Sequence, residues 1–268
     1  MNNGIELIHL PFVPPWDWQQ FRRHFALRLL PGVEMLNASR YCRSLRIGDI
    51  TGWFTVHPQL EHNALALRIS PSAMSISSVL VTRVRRMFDL DADPGAIATH
   101  FSSDALLGPL MASHPGLRLP TAFDPFEQAV RAIIGQQVTV KAAVTITNRL
   151  VERVGEPLPD APAGGPHRLF PTPEQLAEAD LAAIGMPAMR VVALQRLAAA
   201  VADGSFELHV DDGADALVER LCALPGIGPW TAEYIALRGF GAVDAFPSAD
   251  LGLLKSPVWG PGGSVRGS

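Results

Sequence analysis

The chain has 268 residues, 48% of them hydrophobic and 18% charged, with two cysteines, 23 glycines and 23 prolines, which excludes disordered, fibrous and disulfide-scaffold classes. The net charge of −4 is uneven: residues 1–120 carry 11 basic residues against nine acids, and residues 121–268 carry 11 against 17. A bulk basic footprint for nucleic acid is therefore missing, and any DNA contact must rest on local geometry.

No apolar run approaches the roughly 20 residues of a membrane span. The start MNNGIELIHL lacks the basic, apolar and cleavage regions of a signal peptide, so a cytoplasmic protein with no membrane association is expected. Cys42 and Cys222 fall short of the four thiolates of an iron-sulfur cluster or an all-cysteine zinc site. The eight histidines show no ligand spacing, so no metal is expected. Lysine occurs only at Lys141 and Lys255, so an amine nucleophile has two candidates.

In chain order, short β-rich runs at Ile5–Leu10, Arg43–Ile47, Gly52–His57 and Ala64–Ile69 are separated by turn residues. Helices are predicted at Trp18–Leu29, after Pro14-Pro15, and at Ile76–Phe88, where Ile76, Val79, Leu80, Val84 and Met87 recur near helical spacing. Arg83, Arg85 and Arg86 read either as a solvated face or as a phosphate contact. The segment Asp89 to Gly95 looks superficially like a calcium loop, but Pro94 and His100 stand where an EF-hand needs Gly and Glu.

Pro and Gly cluster at His114–Pro120 and the strand-like runs stop there, which predicts an α/β domain over 1–119 and a helical domain over 120–255. Asp124-Pro125 is an N-cap followed by proline at N1, and Phe126, Ala129, Val130, Ile133 and Ile134 then line one helix face. A second helix follows Gly135-Gln136-Gln137. Thr172-Pro173-Glu174-Gln175 reads as a capping-box start, and helices are predicted at Arg190–Val201 and Gly213–Leu224.

Leu224-Pro225-Gly226-Ile227-Gly228-Pro229-Trp230-Thr231-Ala232 then joins two helices through a turn with two glycines. Glycine permits positive φ and close backbone approach, and the next helix N-terminus offers free N–H groups with the positive dipole end behind them. That suits a DNA phosphate. A plain helix–helix turn would use the same residues.

This hairpin, its helix and an aspartate beyond it in Asp244-Ala245-Phe246-Pro247-Ser248-Ala249-Asp250 resemble the helix-hairpin-helix DNA glycosylase superfamily. Phe12–Trp18, Tyr41–Leu45, Leu117–Pro120, Phe123–Gln136 and Ala236–Gly239 resemble its DNA-3-methyladenine glycosylase II branch, over about residues 5–255. The resemblance implies an α+β fold: a TATA-binding-protein-like α/β domain followed by an all-α helix-hairpin-helix domain. It also implies release of alkylated bases such as 3-methyladenine and 7-methylguanine from double-stranded DNA in base excision repair, by a monomer.

The resemblance puts the catalytic carboxylate at Asp250. Bifunctional relatives carry a lysine two residues after the second hairpin glycine, and here Trp230 stands there, so hydrolysis by water without strand cleavage is implied. Trp230 and Tyr234 lie four apart on one helix face and are expected to form the base pocket, although aromatics at that spacing are often core. Gly226, Gly228 and Thr231 are expected at the DNA backbone, and Gln136 and Gln137 at the gap left by an extruded base, Gln137 as the wedge. No cofactor is expected beyond a monovalent cation at the hairpin backbone.

Beyond Lys255, residues 256–268 have no helical period, and a disordered tail is expected. Family members continue with further helices, so the chain reads as shortened, with Phe126, Ile133 and Leu253 losing apolar cover worth roughly 1.5–3 kcal/mol each. A catalytically weak helix-hairpin-helix DNA-binding protein is the alternative expectation.

Overall fold

The computed structural model describes residues 6–256, so almost all of the expected tail, from 257 on, lies outside the described residues. The first part runs β1 (Glu6–Pro11), α1 (Trp18–Ala26), β2 (Glu34–Leu36), β3 (Tyr41–Ile47), β4 (Ile50–Gln59) and β5 (Ala64–Ile69). A 3-10 turn at Pro71–Ile76 leads into α2 (Ser77–Met87), followed by α3 (Pro94–Phe101) and α4 (Leu107–Ser113). The strands form one antiparallel sheet in the order β1-β5-β4-β3-β2, with Arg43 opposite Phe54 and Phe54 opposite Ile69.

One face of this sheet is closed by α1 and α2 over an aromatic core. Trp16 and Phe21 stack with centroids 4.7 Å apart, and Phe25, Tyr41, Phe54, Phe88 and Phe123 join them in one buried cluster. Each such ring removes a large apolar area from water. The four predicted strands are present, but β2 is not foreseen, because three residues are too few for an alternating pattern to register. Nor is α3, although its start is local: Asp93 caps it by accepting from the N–H groups of Gly95 and Ala96, with Pro94 at N1.

The helical part comprises α5 (Pro125–Ile134), α6 (Val140–Val154), α7 (Pro173–Glu178), α8 (Ala188–Ala202), α9 (Ala214–Cys222), α10 (Pro229–Ile235) and α11 (Leu251–Leu254). A π-helical turn, Ala236–Phe240, continues α10 and ends at Gly241 with φ +72°. Both expected caps form: Asp124 accepts from Glu127 N at 2.9 Å, and Thr172 and Gln175 close the reciprocal box. Among the described residues no helix is long and apolar enough to cross a membrane.

α5 is the central helix, touching α6, α8, α10 and the π turn. That corrects one expectation: Phe126 and Ile133 are buried at 9% and 0% exposure, because their cover comes from these neighbours. Of the remaining apolar groups there, Leu251 and Leu254 are exposed and Leu253 is half-buried.

Charged side chains tie α5 to the sheet. Arg43 on β3 meets Glu127 at 2.6 Å, and Arg131 meets Glu34 on β2 at 3.0 Å and Glu127 at 2.9 Å. Tyr41 donates its hydroxyl to Glu34 at 2.6 Å. Burial pushes the Glu34 carboxyl up, but Arg131, Arg43 and the Tyr41 hydroxyl outweigh it and hold it below the ordinary carboxylate range.

The arginine cluster on α2 also turns inward. Arg83 pairs with Asp124 at 3.2 Å, Arg86 donates to the carbonyls of Ala122 and Phe123, and Arg85 pairs with Asp91. These three arginines are tethers within the fold, each still partly exposed.

Candidate active site

The hairpin links α9 to α10. Gly226 has φ +92°, and a Cβ there would lie 2.5 Å from the Ala193 Cβ on α8, so only glycine fits. Gly228 differs: its φ is −94° and a Cβ would meet open space, so neither the turn nor the packing requires glycine there. Ile227 between them is buried at 4% exposure and anchors the loop in the core.

Gln136, just past α5, reaches across to the hairpin. Its Nε2 donates to Gly226 O at 3.0 Å and to Thr231 Oγ1 at 3.0 Å. Thr231 is itself 3% exposed, and its hydroxyl is part of this brace. Gln137 is free of this brace, exposed at the tip between α5 and α6, with φ +56°.

Asp250 stands at the end of the loop that follows the π turn and is the N-cap of α11. Its Oδ1 accepts from Gly252 N at 2.7 Å and Leu253 N at 3.3 Å, while its Oδ2 accepts from the Trp230 indole at 3.1 Å. The structure thus brings together the aspartate and the aromatic that the hairpin motif singled out. Trp230 and Tyr234 stack on each other, centroids 5.2 Å apart and planes 11° from parallel. The stack leaves no slot between the two rings.

Three ties were not foreseen. Glu233 on α10 accepts from Phe246 N at 2.9 Å, holding the loop that carries Asp250. Arg238 in the π turn donates to Pro120 O at 2.8 Å, and its own carbonyl accepts from Ala122 N at 2.7 Å. These join residues 13 to 118 positions apart, so no local pattern announces them.

Among the described residues, no group of three or more His, Cys, Asp or Glu side chains is arranged to hold a metal ion. The hairpin offers neutral carbonyls to a monovalent cation, but those of Leu224, Gly226 and Gly228 already accept from Ile227 N, Gln136 Nε2 and Ala232 N. A cation there would share or displace these hydrogen bonds.

Comparison with known proteins gives two family matches: AlkA N-terminal domain over residues 7–124, and HhH-GPD superfamily base excision DNA repair protein over residues 130–256. DNA-3-methyladenine glycosylase 2 of Escherichia coli is 38% identical over 249 residues, 92% of this chain and 85% of the relative. A probable bifunctional transcriptional activator/DNA repair enzyme AlkA of Mycobacterium tuberculosis is 39% identical over 252 residues, and the match spans 50% of it. The 3-methyladenine DNA-glycosylase of Archaeoglobus fulgidus superposes with a TM-score of 0.80 at 20% identity, covering 98% of this chain and 88% of that one, which is a likeness of fold.

Proposed function

Because the chain belongs to the HhH-GPD superfamily of base excision DNA repair proteins, we propose that it is a monofunctional DNA glycosylase. It hydrolyses the N-glycosidic bond of alkylated bases of the 3-methyladenine and 7-methylguanine type in double-stranded DNA. It acts as a monomer of two domains, 1–119 and 120–255. The observation that carries the reading is the Trp230 indole N–H on the Asp250 carboxylate, 3.1 Å apart, at the head of the hairpin helix.

The hairpin backbone at Gly226 and Gly228 meets a phosphate of the bound strand, with the positive end of α10 behind it. A nucleotide is turned out of the duplex, at lower cost for a damaged base, and Gln137 at the exposed tip fills the gap. Gln136 and Thr231 keep tip and hairpin at a fixed spacing. The extruded base lies on the outer face of the Trp230–Tyr234 stack, where an electron-rich surface favours a cationic alkylated purine by roughly 0.5–2 kcal/mol.

The positive charge of such a base makes it a good leaving group. As the glycosidic bond lengthens, the sugar develops oxocarbenium character, and the Asp250 carboxylate, held by three N–H donors, stabilises that charge and orients water for attack. Water adds to the sugar carbon, the base departs with the bonding pair, and the water proton passes to solvent by way of the carboxylate. Trp230 in place of an amine leaves no Schiff-base route at that position.

The test is single-turnover release of 3-methyladenine and 7-methylguanine from methylated duplex DNA by the chain and by its Asp250→Asn form. Release that vanishes in the variant while DNA binding persists is expected. DNA binding without release by either form would mean a binding protein instead.

A further inference from the structure

Between α1 and the π turn lies a cavity of about 40 Å³, lined in part by His24, Phe25, Arg28, Thr121, Tyr234 and Arg238. It has room for a group of a few atoms, not for a purine ring. We propose that it is a subsite for a hydrogen-bond-accepting exocyclic oxygen on the extruded base, with His24 as the residue that sets this specificity; the inference rests on the glycosylase reading above.

The placement follows from contacts already described. Asp250 touches Trp230, Trp230 stacks on Tyr234, and Tyr234 lines the cavity. A base lying along this aromatic surface with its sugar at Asp250 turns its far edge towards the opening.

The chemistry follows from the wall. Guanidinium groups offer donors only. Arg238 uses Nη1 on Pro120 O, and its buried Nε has no partner among the described residues. Arg28 donates to the His24 carbonyl at 3.3 Å. The His24 ring makes an edge contact with Phe25, and its nitrogens make no hydrogen bond among the described residues.

Burial, reinforced by Arg28, Arg238 and Arg131, pushes the His24 imidazole down to about 3. It is therefore neutral near pH 7, with one N–H and one lone pair. With no partner among the described residues, that N–H is available to a ligand. Glu34 and Glu127 also line the cavity, but Arg43 and Arg131 already neutralise them. The arginine donors and the His24 N–H favour a carbonyl oxygen over an amine, while the Gln128 amide and the Tyr234 hydroxyl, which also line the cavity, can meet either.

7-Methylguanine carries an oxygen at C6, and 3-methyladenine carries an amine. His24→Phe keeps a ring but loses the donor, and should slow single-turnover release of 7-methylguanine about fivefold to tenfold while 3-methyladenine stays within about twofold. His24→Asn, which retains an N–H, should restore part of the loss. Equal slowing of both bases, or no change in either, overturns the proposal.

If the parent chain releases neither base, the glycosylase reading fails separately. Binding of the two free bases, followed by tryptophan fluorescence, then decides the subsite. Weaker binding of 7-methylguanine alone in His24→Phe supports it, and unchanged preference overturns it.

Discussion

Trp230 presents its ring to Tyr234 and its N–H to Asp250, and these two contacts can be separated. Trp230→Phe keeps an aromatic face and removes the donor from a charged acceptor, a bond worth roughly 1.5–3 kcal/mol. Single-turnover base release should fall roughly tenfold to a hundredfold with DNA affinity little changed; an undiminished rate would show that the indole N–H is idle. The hairpin glycines should part company in the same way. Gly226→Ala meets both a positive φ and the Ala193 methyl, so a loss of about 2–4 kcal/mol is expected in urea unfolding. Gly228→Ala, at the N-cap of α10, should cost only about 0.5–1 kcal/mol and weaken DNA binding. His24 adds a pH signature. Its native value of about 3 lies below the unfolded value of 6.5, so between these the unfolded chain binds the extra proton. Its contribution is whole above pH 6.5 and is lost progressively on acidification. The melting temperature should therefore fall less steeply from pH 7 to 5 in His24→Phe than in the parent chain.

At the scale of elements, the caps show what a one-dimensional reading can reach. Asp124-Pro125 and Thr172–Gln175 start α5 and α7 as expected because cap chemistry is complete within four residues. Thr172→Ala should cost about 1 kcal/mol in urea unfolding. Strands β1 and β3–β5 are legible from alternating apolar runs, while β2 and α4 are too short to stand out. The candidate site divides similarly. Asp250, Trp230 and Tyr234 fall within one hairpin-and-helix pattern, so the motif gathers them. Gln136 reaching the hairpin 90 residues away, and His24 lining one cavity with Tyr234, are products of tertiary packing. A polar side chain spaced this far from its partner looks in sequence like any surface residue, which is why the brace between Gln136 and Thr231 is not legible there.

The whole molecule depends on the seam between sheet and helices. Arg43 and Glu127 are both nearly fully buried, 2.6 Å apart, and Arg43 also lies over the Phe123 ring at 4.8 Å. Glu127→Ala strands a buried guanidinium and should cost about 3–5 kcal/mol in chemical denaturation. The double variant Arg43→Met, Glu127→Leu should recover much of that, since two apolar groups need no partner. If the single and double variants were equally unstable, the pair would matter for shape rather than charge.

The π turn at Ala236–Phe240 sits upstream of Asp250. Such a turn carries one residue more than the α-helical turn it replaces. Removing one residue there would swing everything downstream by about 100° around the helix axis, carrying Asp250 away from the indole while leaving α5–α9 intact. A one-residue change in this stretch therefore acts as a phase shift between the hairpin helix and the segment that carries Asp250, unlike a change of length in an ordinary loop.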